Sequence, residues 1–251
     1  MNSLTRASGS LLSLVFSKFH TATKDRNQIL MYHSVGGVAD GDSQGIYTVS
    51  PSRFVEQMTT LRNLVEEDGI RVARFGEEVE SSVSITFDDG YRDNLTVVLP
   101  IMERFGYPFH IFLNPTFVLS GRDGFLSEDD VKVLHSHPLV TLGVHGYSHS
   151  PLGQLSLERV RDELGSSKAW LSQLLGKPTD SLSYPHGSVN ADVVREAAGA
   201  GFRFGAASKF GPIAAQRNNL LLPRIDIWSS DNARIFSAKL RGNWDWMKWR
   251  T

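Results

Sequence analysis

Thr86-Phe87-Asp88-Asp89-Gly90 sets two carboxylates on one short turn, and His145-Gly146-Tyr147-Ser148-His149 sets two imidazoles four residues apart. One carboxylate and two nitrogens can hold a catalytic metal ion that keeps an open position, and the other carboxylate is left over as a base for water. This is hydrolytic chemistry. Each motif alone is ambiguous, because Asp-Asp-Gly often serves as a turn with a helix cap and a His pair at this spacing often lies on a solvated helix. Here Gly143, Gly146, Ser148 and Pro151 argue for a loop. His110 lies in an apolar run, and His135 and His137 precede Pro138. All three read as structural or surface residues.

The 251-residue chain is 41% hydrophobic, enough for one domain with an ordinary core. With 26 basic and 27 acidic residues its formal net charge is −1, which speaks against a nucleic-acid partner. It has no cysteine, so disulfides, thiolate ligands and a cysteine nucleophile are excluded, and a metal must use oxygen and nitrogen. Residues 1–27 read as an N-terminal extension to a domain at 28–251. The apolar run Leu11-Leu12-Ser13-Leu14-Val15-Phe16 is too short to span a bilayer and is cut off by Lys18, a poor secretory signal. A terminal helix, frayed or docked on the core, is the plainest reading. Residues 4–19 could instead touch a membrane surface, with Leu4, Leu11, Leu12, Val15 and Phe19 near one face. The expected location is cytoplasmic or membrane-peripheral, with secreted or periplasmic placement left open.

From residue 28 onward, short apolar runs alternate with helical patterns, which predicts a parallel α/β fold. Seven strands are expected, at 28–35, 82–87, 108–114, 139–144, 180–184, 202–207 and 220–227. Helices are expected between Ser50 and Gly69, from the capping box at Ser127, from Ser156 to Gly176, and after Asn190. Periodicity does not decide between a closed barrel and an open doubly wound sheet. Polar residues collect at the strand ends on this map: His33, Asp88 and Asp89, Asn114, His145, Tyr184 to His186, and Asp226. Carboxyl ends of parallel strands share one face, so these residues are expected to meet in one pocket.

Thr-Phe-Asp-Asp-Gly followed by His-x-x-x-His resembles the polysaccharide deacetylases, carbohydrate esterase family four. Met31-Tyr32-His33-Ser34, Ser183-Tyr184-Pro185-His186-Gly187 and Lys239-Leu240-Arg241-Gly242 extend the resemblance over about Ile29 to Trp246. It implies a distorted (β/α) barrel of about seven strands. It also implies one divalent ion, Zn²⁺ first, on Asp89, His145 and His149, with Asp88 as general base and a backbone N–H near His186 stabilising the oxyanion. The activity implied is removal of N-acetyl or O-acetyl groups from a carbohydrate, in particular a glycan containing N-acetylhexosamine.

Two departures bear on mechanism. Many members begin the middle motif with an arginine that holds the base, where this chain has Ser183, and a tyrosine is common where it has His186. Arg224, two residues before Asp226, is the candidate replacement. Many members also carry a late histidine as general acid, whereas none follows His186 here. A related subgroup of exopolysaccharide deacetylases shares the early Tyr-His and the tyrosine-proline middle motif. His33 and His186 are the candidate donors, because a free imidazole can carry a proton near neutral pH. Asp226 completes the candidate catalytic set, and Tyr184, Pro185, Asn114 and Tyr147 are candidate substrate contacts. Trp228, Trp244 and Trp246 could stack on sugar rings or seal the barrel. A glycosidase would have no use for His145 and His149. A non-catalytic sugar binder or a small-amide hydrolase would also fit these motifs.

Overall fold

The computed structural model describes residues 26–249, apart from 78 and 215–216. The segment 4–19, with its membrane-contact reading, lies outside the described residues. Among the described residues no helix is long and apolar enough to cross a membrane.

Parallel strands run in the order β10 (Ile225–Asp226), β1 (Gln28–Tyr32), β5 (Ser82–Phe87), β6 (Phe109–Leu113), β7 (Val140–Val144), β8 (Ser181–Ser183) and β9 (Phe204–Ala206). Between β1 and β5 in the chain lie β2 (Ser34–Val35), β3 (Thr48–Val49) and β4 (Arg71–Ala73). The central strands are buried on both faces, as in parallel sheets, and β5 alternates apolar with polar side chains. Val83, Ile85 and Phe87 of β5 join the main core outside, while Ser82, Ser84 and Thr86 are also buried. The helix Pro51–Asp68 packs Phe54, Met58, Leu61 and Leu64 into the main core, starts at the Ser50 cap and ends on Gly69 in the left-handed region. A smaller apolar cluster of Ile29, Phe75, Phe112, Ala206, Ile213 and Leu222 is separate from the main core.

Closure explains where the expected strands were too long. The 220–227 run does not pair with one neighbour throughout. Leu222 bridges to Ala206 in β9, with Ala207 N–H donating to Leu222 O at 2.9 Å, and only then do Ile225 and Asp226 pair with Leu30 and Met31 of β1. Pro223, which has no N–H, sits at the crossing. One segment thus links the last strand to the first. Gly205 is required at this seam, since a Cβ there would lie 2.5 Å from Leu220 O. The 28–35 run likewise divides at His33, because Ser34 and Val35 leave β5 and pair with Thr48 and Val49. Neither β3 nor β4, nor the helices Leu99–Phe105, Pro115–Leu119 and Ala233–Leu240, was expected from the sequence pattern.

Candidate active site

Strand alternation delivers Asp88. Thr86 and Asp88 lie on one side of β5 and its extension and Phe87 on the other, and Arg224 contacts both residues from the closing segment. Its Nη1 donates to Asp88 Oδ1 at 2.8 Å and to Thr86 Oγ1 at 3.2 Å, and its Nη2 donates to Asp88 Oδ2 at 2.8 Å. Ser183 Oγ donates to the same Asp88 Oδ2 at 3.1 Å. Burial alone would raise the Asp88 pKa. The Arg224 charge and its hydrogen bonds more than offset it, and the carboxyl is held well below the usual range.

Asp89 would point away from Asp88 in a regular strand, but its φ of 75° turns the chain back toward the site. His149 and His186 also have positive φ, at 62° and 57°. Left-handed backbone at non-glycine residues is uncommon and tends to mark functional positions. His145 Nε2 and His149 Nε2 lie 3.5 and 3.2 Å from Asp89 Oδ1. These spacings match the roughly 3.3 Å edge of a tetrahedron with bonds of about 2.0 Å.

Three observations fit this group to a divalent cation. The ligand atoms of Asp89, His145 and His149 converge within 4.8 Å of one another. Asp89 Oδ1 is buried without a hydrogen-bond partner by geometry. His145 Nδ1 lies 3.0 Å from the Ser183 carbonyl, which can only accept, so Nδ1 carries the proton and the Nε2 lone pair faces Asp89. Burial pushes the His145 pKa down to about 4 against the pull of Asp88 and Asp89, so the ring is neutral and able to ligate. Burial also opposes ionisation of Asp89, yet the nearby His149 and His145 imidazoles leave its pKa lowered.

The remaining candidates divide by position. His33, Asp226, His186 and Tyr184 line the same cavity of about 490 Å³ as Asp88, Asp89, His145 and His149. His33 Nδ1 and Asp226 Oδ1 are buried without hydrogen-bond partners. The Asp226 pKa is raised by burial, with His33 and Lys239 opposing the rise. His186 Nε2 lies 3.1 Å from His149 O, so it donates there and holds its neighbour's backbone. Tyr184 presents only its ring, since its hydroxyl donates to Leu220 O.

The other three substrate-contact candidates do not reach the cavity. Asn114 is fully buried, caps the helix Pro115–Leu119 and donates to His145 O. Pro185 is buried near Gly146, and Tyr147 stands outside the lining. Trp228, Trp244 and Trp246 are buried, with the Lys239 ammonium 3.8 Å from the Trp228 ring centroid. They seal the structure and offer no sugar platform. His110 is buried between Thr141 and Ser181, and His137 contacts Glu103.

Sequence reasoning passed over two contributors. Glu163 accepts the N–H groups of Tyr147 and Ser148, holding the His145–His149 loop from beneath. The loop 36–47 forms one wall of the cavity, with Ala39, Asp42 and Ile46 among its lining residues. Its glycines and aspartates signal a loop but not where it folds.

Known proteins of this architecture agree with the geometry. The polysaccharide deacetylase family model matches residues 76–205, which carry both motifs. The Bacillus subtilis protein YxkH is 25% identical over 216 residues, covering 84% of this chain and 74% of its own. The Staphylococcus aureus poly-beta-1,6-N-acetyl-D-glucosamine N-deacetylase is 25% identical over 207 residues, covering 74% and 69%. The Streptococcus pyogenes deacetylase PplD, solved with acetate, superposes with a TM-score of 0.75 at 21% identity over 87% of this chain and 99% of its own. With its family model spanning the Asp-Asp and His-x-x-x-His motifs, and its barrel gathering them at one mouth, this chain belongs to the polysaccharide deacetylase family.

Proposed function

We propose that this deacetylase removes N-acetyl groups from a glycan containing N-acetylhexosamine, with poly-N-acetylglucosamine as the first substrate to test. The observation that carries the reading is the convergence of Asp89, His145 and His149 beside an ionised, doubly gripped Asp88. Asp89 Oδ1 and the two Nε2 atoms would hold the cation, most simply Zn²⁺ given one carboxylate and two imidazoles. When bound, such an ion supplies Lewis-acid polarisation of the acyl oxygen and a lowered pKa for the attacking water.

The chain's own groups do the rest. Asp88 accepts the proton from water as its oxygen bonds to the acyl carbon. Arg224 and Ser183 fix the carboxylate so that it does not rotate away. His33 is the donor to the leaving nitrogen: it lines the cavity, and its Nδ1 is buried and unpaired. As the carbon–nitrogen bond breaks, that proton leaves a free amine on the sugar and acetate as co-product. His186 is the second candidate donor, but its Nε2 is occupied by His149 O.

Acetate and new reducing ends, measured together on N-acetylglucosamine oligomers with added zinc, test this function. Acetate without reducing ends supports it; reducing ends without acetate, or neither product, overturns it. His33→Ala should keep the metal and reduce acetamide hydrolysis far more than hydrolysis of an activated acetyl ester, whose leaving group needs little protonation. Equal losses on both substrates would move the donor role to His186. Residues 4–19 are proposed to bring the enzyme to a membrane surface, consistent with a cytoplasmic or membrane-peripheral location, and vesicle sedimentation of the full chain against one starting at residue 26 tests this.

A further inference from the structure

His33, the proposed proton donor, stands where β1 leaves the sheet. Asp88 N–H donates to Tyr32 O at 3.0 Å, continuing the pairing of β1 with β5, and Ser34 and Val35 then turn away to pair with Thr48 and Val49. The next carbonyl is taken by a side chain: Asn94 Nδ2 donates to His33 O at 3.2 Å and to Asp93 Oδ1 at 3.0 Å. Asp93 Oδ2 in turn accepts from Ser34 Oγ at 2.5 Å and from Gly37 N–H at 3.1 Å. Three consecutive residues, Tyr32, His33 and Ser34, are thus held by Asp88, Asn94 and Asp93.

Asn94 is fully buried, and its Oδ1 has no hydrogen-bond partner. An unsatisfied buried amide oxygen costs stability, which points to a use for what the amide nitrogen donates. The orientation of the amide follows from its neighbours, because turning it over would set Oδ1 against two acceptors, His33 O and Asp93 Oδ1. Asn94 also opens the π-helical turn Asn94–Val98, which runs into the helix Leu99–Phe105, so the amide is mounted on a rigid element. The His33 ring packs against Tyr47 with centroids 4.6 Å apart, and Ser34 N–H donates to Tyr47 O at 3.3 Å. Residues 88–94 therefore carry Asp88 at one end and hold the donor's backbone at the other.

We propose that Asn94 is a positioning residue, fixed by Asp93, that sets the place of the His33 imidazole relative to the Asp88 carboxylate by holding the His33 backbone. The role rests on the reading of His33 as donor. Proton delivery depends on placement, and a shift of about 1 Å caused by a change away from the reacting atoms can cost on the order of 10²-fold. Loss of Asn94 should therefore be felt where the leaving nitrogen needs a proton and not elsewhere.

Asn94→Leu keeps the size of the side chain and removes its donors. The full chain with added zinc is assayed on N-acetylglucosamine oligomers and on an activated acetyl ester, alone and in the His33→Ala background. N94L should lower kcat on the acetamide by about tenfold or more, with KM, ester hydrolysis, zinc affinity and cooperative melting retained. In H33A the same change should cost less than about twofold, because a residue acting through His33 has nothing left to place, whereas an independent role would cost the same factor in both backgrounds. Equal losses on both substrates overturn the inference, as does no loss, a weakened zinc site, or a loss that persists without His33. If N94L does not melt cooperatively, Ser34→Ala, which removes one hydroxyl from Asp93, takes its place under the same criteria. H33A without a selective acetamide loss overturns the donor reading and this inference together, whereas a selective H33A beside an unselective N94L overturns this inference alone.

Discussion

Arg224 grips Asp88 with one guanidinium nitrogen on each carboxylate oxygen, both at 2.8 Å, across 136 residues of sequence. A planar fork of this kind fixes orientation as well as charge, and lysine cannot reproduce it. Arg224→Lys should lower kcat by about tenfold or more with little change in KM, since the reacting geometry is disturbed and the cavity is not. Arg224 lowers the Asp88 pKa, so a weaker grip lets it rise. The acid limb of the kcat profile should therefore move to higher pH, and a pH–rate series on both proteins checks the sign.

Metal removal should be reversible and selective. Dialysis against a chelator should abolish acetate release, and added zinc should restore it. Alanine at Asp89, His145 or His149 should prevent that rescue while a folded protein remains. Elemental analysis of each purified variant reads the loss directly, and full zinc content in any of them would remove that residue from the ligand set.

Glu163 holds the imidazole loop without touching the cation site. Its carboxylate accepts from Tyr147 N–H, Ser148 N–H and Ser148 Oγ. Glu163→Ala removes all three acceptor contacts and should weaken zinc binding by about 10- to 100-fold, as expected for partners that orient ligands. Restoration of most of that affinity by Glu163→Gln, which keeps one acceptor oxygen, would show that geometry matters here more than charge.

Acid sensitivity has a source away from the catalytic groups. Burial pushes the His110 pKa down from 6.5 to about 3, so the native ring stays neutral between Thr141 and Ser181. The unfolded chain takes up a proton below about pH 6.5 and the native ring does not. Stability therefore falls as pH drops from there toward 3, by at most about 1.4 kcal/mol per pH unit from this group. His110→Asn should be less stable at pH 7 yet show a shallower decline between pH 7 and 5 in urea denaturation midpoints.

The parts of the site held by local sequence were legible from it. Asp88, Asp89, His145 and His149 sit in short motifs at strand ends, and strand order alone brings them to one mouth. Arg224 was legible only as a charge near a strand end, because its partner is set by closure of the barrel. Asn114 misled for a related reason: its strand-end position suggested a substrate contact, while its amide is committed to a helix cap and to His145 O. Glu163 lies on an amphipathic helix where a buried acid has no periodic signature. The loop 36–47 takes its place from distant partners, Asp93, Tyr91 and Ser229, that no local pattern connects to it. The 220–227 run read as a single strand because apolar patterning does not reveal a change of neighbour along its length.

That change of neighbour has a consequence during synthesis. Residues 76–205 contain every candidate metal ligand and Asp88 and emerge before Arg224, the residue that steadies Asp88, which arrives only with the segment that joins β9 to β1. A chain ending before Leu220 would carry the proton acceptor without its guanidinium clamp and the barrel without its seam. Closure of the barrel and clamping of the base are therefore one event, since the segment that supplies the seam also supplies the guanidinium.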